Sequence, residues 1–114
     1  MFDILAFVRE RIANATGLPV ATEVPEHRPD RFVTIYRDGG GRREHVDNPT
    51  LTIQTWGASD ADAYELALRV RVIMESLTFT CEVSDITCTS LRVNNDTTDG
   101  HHRYEAVYFL ICRR

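Results

Sequence analysis

A chain of 114 residues is the size of one domain with a single core, and it is too short for two. Its 43% apolar and 26% charged residues are those of a soluble globular protein, and its apolar runs fall short of the roughly 20 residues needed to span a bilayer. A formal net charge of −4 argues against a domain whose main work is gripping nucleic acid, because that work concentrates positive charge.

The chain opens Met1-Phe-Asp-Ile-Leu-Ala-Phe-Val-Arg-Glu-Arg11, which lacks the basic leader and small-residue cleavage site of a secretory signal and reads as the start of a helix. Phe2, Leu5, Val8, Ile12 and Ala15 recur at three- and four-residue steps and line one helical face. Gly17 supplies the left-handed stop, and Pro19 cannot continue the ladder. A short strand is expected over Val20 to Val24, then a charged turn from Pro25 to Pro29.

Two alternating segments follow, Arg31 to Arg37 and Thr50 to Trp56. Val33 and Ile35 share one face with Leu51 and Ile53, while Phe32, Thr34, Tyr36, Thr52, Gln54 and Trp56 take the other. Helices are expected over the Val/Ile/Leu side, leaving the Thr-and-aromatic side less covered, with Tyr36 and Trp56 as candidate contact residues or as partners of each other. Between the two strands, Asp38 to Asn48 reads as a mobile loop. Its Gly39, Gly40 and Gly41 act as hinges, and Arg37, Arg42 and Arg43 face either solvent or an acidic partner. The glycines do not read as a phosphate loop, because they lead to a strand and lack the Gly-Lys-Ser/Thr ending.

Ser59 caps a helix carrying Ala61, Ala63, Leu66, Ala67, Val70, Ile73, Met74 and Leu77, with Asp62 completing a capping box and Glu65–Arg69 forming a favourably ordered pair on the wet face. Phe79, Cys81 and Val83 alternate as a strand, another strand lies within Ile86 to Val93, and Asn94 to His102 is a polar turn. Tyr104 to Cys112 is apolar enough for a central or interface-paired strand. The expected architecture is α+β: a mainly antiparallel sheet of four to six strands with two helices on one face and open edges that invite strand addition from a neighbouring subunit.

No constellation reads as catalytic. His45 lies in the loop beside Glu44 and Asp47 without a fixed nucleophile, and Asp96, Asp99, His101 and His102 read as a hydrophilic turn, since adjacent histidines point apart. No cofactor or metal is expected. Cys81, Cys88 and Cys112 are odd in number and lack zinc spacing, so reduced buried thiols and an intracellular compartment are expected. All 13 basic residues are Arg, as a GC-rich genome would produce. Arg113 and Arg114 read as a solvated end.

Four segments together carry a resemblance: Arg28-Pro-Asp-Arg-Phe-Val-Thr-Ile-Tyr-Arg-Asp-Gly-Gly40, Asp47-Asn-Pro-Thr-Leu-Thr-Ile-Gln-Thr-Trp-Gly-Ala-Ser59, Ala61-Asp-Ala-Tyr-Glu-Leu-Ala67 and Arg103-Tyr-Glu-Ala106. The chain resembles the small tail-terminator or tail-completion proteins of long-tailed bacteriophages and prophages along nearly its whole length, most strongly over residues 28–70. That resemblance implies a non-enzymatic homo-oligomeric ring, commonly a hexamer, that caps the tail tube protein and docks to the head-side connector protein. It implies assembly in the host cytoplasm, a final place in the virion tail, no membrane partner, and DNA passing the ring lumen without sequence readout. Two other readings stay open: a head-closure or connector adaptor of the neck, and a small ligand- or nucleic-acid-binding α+β module.

Overall fold

The computed structural model describes residues 3–26, 29–43, 46–95 and 102–113, without the side chains of 40–43, 46 and 113. Helix α1 (Ile4–Thr16) starts at Asp3, whose carboxylate accepts from the Leu5 and Ala6 amides, and stops at Gly17, which sits at φ 70°. Asp3 is therefore the cap of this helix. Strand β1 is only Val20–Ala21, shorter than the alternation suggests, and pairs parallel with β2 (Phe32–Arg43) at Val33 and Thr34.

Strands β2 and β3 (Val46–Gly57) form an antiparallel hairpin far longer than the two apolar segments. The expected loop Asp38 to Asn48 is largely strand: Gly39 pairs with Thr50, Gly40 with Pro49, Gly41 with Asn48 and Arg42 with Asp47. A bulge at Asp38, between Arg37 and Gly39, absorbs the one-residue mismatch. Gly39 at φ 149° takes a backbone angle that side chains disfavour, so it serves the bulge and is no hinge in a loop. Glu44 and His45, read above as loop residues, lie outside the described residues.

Helix α2 (Asp60–Ser76) begins where expected, with the Ser59 hydroxyl accepting from the Asp62 amide and the Asp62 carboxylate accepting from the Ala58 amide. The turn into it is tight. A Cβ placed on Gly57 would lie 2.6 Å from the Ala63 amide nitrogen and 3.0 Å from the Asp62 carbonyl carbon, both backbone atoms. A short 3-10 turn, Leu77–Phe79, replaces the strand expected from Phe79; Phe79 is 92% exposed, and Cys81 is exposed where a buried thiol was expected. One strand, β4 (Val83–Val93), with bulges at Ser84 and Thr89, stands in place of the two anticipated. Strand β5 (His102–Arg113) then inserts between β3 and β4.

The five-stranded sheet has the order β1-β2-β3-β5-β4 and is antiparallel except at β1–β2. Both helices cover one face. Ile4, Val8 and Ile12 of α1 and Leu66, Val70 and Met74 of α2 form one core with Val33, Ile35, Leu51, Ile53, Ala106, Tyr108, Leu110 and Cys112. Among the described residues no helix is long and apolar enough to cross a membrane. The 17 residues of α2 reach about 25 Å and the 12 of β2 about 40 Å, so the sheet outruns its helices at the hairpin end.

Gly57→Ala is expected to destabilise the protein by about 2 kcal/mol or more, because neither backbone atom it meets belongs to a flexible side chain. Urea unfolding followed by fluorescence of Trp56, the one tryptophan, measures it.

Candidate functional site: the uncovered sheet face and the long hairpin

Among the described residues the sheet face opposite the helices has no second layer, yet its centre is dry. Trp56 is 1% exposed, and Phe32, Thr34 and Thr52 are buried with it. Trp56, expected as a candidate contact residue, is therefore buried within its own chain. Its cover comes from cross-strand neighbours: the Phe32 ring stacks on it at 5.0 Å, and the Arg103 guanidinium lies 4.9 Å from its ring centre. The indole nitrogen donates to the Thr34 hydroxyl at 3.2 Å.

A polar ladder continues across four strands at the next level, because Thr34, Gln54, Glu105 and Arg92 stand in one register row. Thr34 donates to the Gln54 carbonyl at 3.1 Å, Gln54 donates to Glu105 at 3.2 Å, and Arg92 donates to the other Glu105 oxygen at 3.0 Å. Burial pushes the Glu105 carboxyl up, but the bonds from Arg92 and Gln54 and the charges of Arg92 and Arg103 win and hold it below the usual carboxylate range. Beyond this row the face turns mixed: Tyr36 and Phe109 are exposed, and the buried Thr52 hydroxyl has no hydrogen-bond partner among the described residues.

On the helix side, the hairpin end is pinned by an ion pair. Asp47 is 5% exposed and receives both Nη atoms of Arg37, at 2.8 and 3.0 Å. The hydrogen bond to Asp47 raises the Arg37 pKa further, and burial with the nearby Asp47 charge pushes the Cys112 thiol up to about 11. Arg37 is thus committed to its own chain and locks the bulge, donating as well to the Gly39 carbonyl at 3.1 Å. Gly40, Gly41, Arg42 and Arg43 stand further along the same strand, with Arg42 in register with Asp47 and Arg43 with Val46. Tyr36 is exposed on the other face.

At the opposite end of the sheet, His102 Nδ1 lies 2.7 Å from Asp60 Oδ1, and Asn95 donates to the same oxygen at 2.9 Å. These bonds hold the Asp60 carboxyl below its ordinary range and tie the first turn of α2 to the start of β5. Asp96, Asp99 and His101 lie outside the described residues, and among the described residues no group of His, Cys, Asp and Glu is arranged to hold a metal ion. Residue types could not reveal the ladder, since its four members are spread from position 34 to 105; strand register alone brings them together.

Two threonines on this face should respond oppositely to loss of their hydroxyls. Thr34→Val is expected to cost about 1–3 kcal/mol because it strands the Trp56 N–H, whereas Thr52→Val is expected to be neutral or mildly stabilising, as read by urea unfolding. Since Glu105 is held low in the folded chain, the unfolded chain binds more protons in acid. The stability Glu105 contributes is complete above about pH 5 and is lost as pH falls through its folded pKa, so Glu105→Gln should flatten the acid limb of stability below about pH 5. Neither a scan against protein-family models nor a search of curated proteins found a match to the chain.

Proposed function

We propose that this chain is a structural subunit, a tail-terminator or tail-completion protein of a long-tailed phage or prophage. Its copies close into a ring that caps the tail tube and meets the head-side connector, and it performs no chemical transformation. It assembles in the host cytoplasm and ends in the virion tail, with DNA passing the lumen unread.

The observation that carries this reading is the sheet with two unlike free edges. Among the described residues, β4 has a partner only on the β5 side, and β2 has a partner on its outer side only at Val33 and Thr34. A ring requires a heterologous interface in which one surface of a subunit meets a different surface of the next, and two unlike edges on opposite sides of one sheet are such a pair. The segments that carry the family resemblance are the same ones that build this framework, since residues 28–70 span β2, β3 and the first part of α2. Arg42 and Arg43 stand at the hairpin end of β2, in register with Asp47 and Val46, and in this reading they meet acidic groups of a neighbour.

Replacing Arg42 and Arg43 by Ala is expected to weaken ring formation or tail docking while leaving the melting temperature nearly unchanged. Light scattering and electron microscopy across concentration read the first, and thermal unfolding reads the second. A large loss of melting temperature would make these arginines structural, and normal virions from a deletion strain would remove the proposed role.

A further inference from the structure

The two outer edges span the same levels of the sheet and are opposite in direction and in charge. Tyr36 of β2 stands in one register row with Thr52, Val107 and Ser90, and Arg42 stands in another with Asp47, Cys112 and Val83. The outer edge of β2 from Tyr36 to Arg42 therefore spans the same levels of the sheet as the outer edge of β4 from Ser90 back to Val83. Strand β2 runs antiparallel to β3, β3 to β5 and β5 to β4, so β2 and β4 point in opposite directions. When copies are related by rotation about an axis along the strands, β4 of one meets β2 of the next antiparallel and level. Strand β1 ends at Ala21, just before the free stretch begins.

The irregularities agree as well. The β2 bulge at Asp38 falls between the rows of Arg37 and Gly39, and the β4 bulge at Thr89 falls between Cys88 and Ser90, which lie in the rows of Arg37 and Tyr36. Bulges at nearly one level bend both edges there, so the two edges follow similar courses. Charge sets the direction. Glu82 and Asp85 flank Val83 at the hairpin end of β4, the end at which Arg42 and Arg43 stand on β2, and Asp85 is exposed. An antiparallel pairing puts these acids at the level of those arginines, whereas a β4–β4 pairing around a twofold would move the acids to the Arg92 end, away from Arg42 and Arg43.

An apolar strip adjoins the β4 edge on the helix side. Tyr64, Leu68 and Val72 follow one another at four-residue steps along α2, and Val93 of β4 is half exposed beside them in register with Tyr104, on which the Tyr64 ring packs at 5.1 Å. Helix α1 packs with the β1 and β2 end of the sheet and α2 with the centre, which leaves the β4 side of the helix layer open. A second copy docked by its β2 edge brings its own β1 and α1 to this strip and continues the helix layer.

We infer that β4 of one copy adds to the Tyr36–Arg42 edge of β2 of a second copy, antiparallel, with Glu82 and Asp85 of the first beside Arg42 and Arg43 of the second. This inference names the interface of the ring proposed above and rests on that reading.

Charge reversal tests it. The full chain is compared with Arg42→Glu/Arg43→Glu, with Glu82→Arg/Asp85→Arg, and with all four changes combined, by sedimentation velocity and negative-stain microscopy across concentration. Each reversed pair is expected to raise the concentration at half assembly by about tenfold or more, and the combined variant is expected to return near the unmodified chain. Trp56 emission confirms folding; if a reversed variant fails to fold, Arg42→Gln/Arg43→Gln or Glu82→Gln/Asp85→Asn replaces it, with weaker assembly expected. Assembly unaffected by either reversal, or loss on both sides without rescue in the combination, overturns the edge pairing while the ring reading stands. A chain that stays monomeric at every concentration and ignores isolated tail tubes overturns both.

Discussion

Burial of one sheet face under two helices is the constraint from which the rest of this protein follows. Val33, Ile35, Leu51 and Ile53 meet Val8 and Ile12 of α1 and Leu66, Val70 and Met74 of α2 in one apolar core. Each fully buried aliphatic side chain contributes about 1.5–3 kcal/mol relative to an exposed one, so the register that keeps these residues on the helix side is strongly preferred. A one-residue slip would send all of them to the other face.

The opposite face must then satisfy itself from within the sheet. It does so by stacking Phe32 and Arg103 on Trp56 and by running hydrogen bonds from Thr34 through Gln54 and Glu105 to Arg92. Such a row is rigid because each member is held by the next, and it explains how an acid at position 105 stays charged while buried. The energy of the ladder is modest by comparison with the core. Its effect is to hold β2, β3, β5 and β4 in a single register, which is what makes the two outer edges level.

At the hairpin end the same logic appears in ionic form. Asp47 is buried beyond the helices and would be costly alone, but the two-pronged contact from Arg37 neutralises it and fixes the Asp38 bulge. The glycines then extend the strand toward Arg42 and Arg43. Pairing therefore continues past the apolar segments, and the backbone of this stretch is strand as far as Arg43.

Local chemistry was enough to read both helices, their caps at Ser59 and Gly17, and the alternation of β2 and β3, because each depends on residues a few positions apart. It misread Asp38 to Asn48 as a loop, since a glycine run with charges looks the same whether free or paired; only β3 and the Arg37–Asp47 contact decide that it is strand. It also left Trp56 uncertain, because an alternating aromatic shows which face it takes but not whether Phe32 and Arg103, at distant positions, will close over it. The sequence by itself determined the two helices, the alternating cores of β2 and β3, and the apolar face they share. Strand order, the buried polar row and the matched edges were decided by tertiary structure, because each is a relation between residues that periodicity cannot connect.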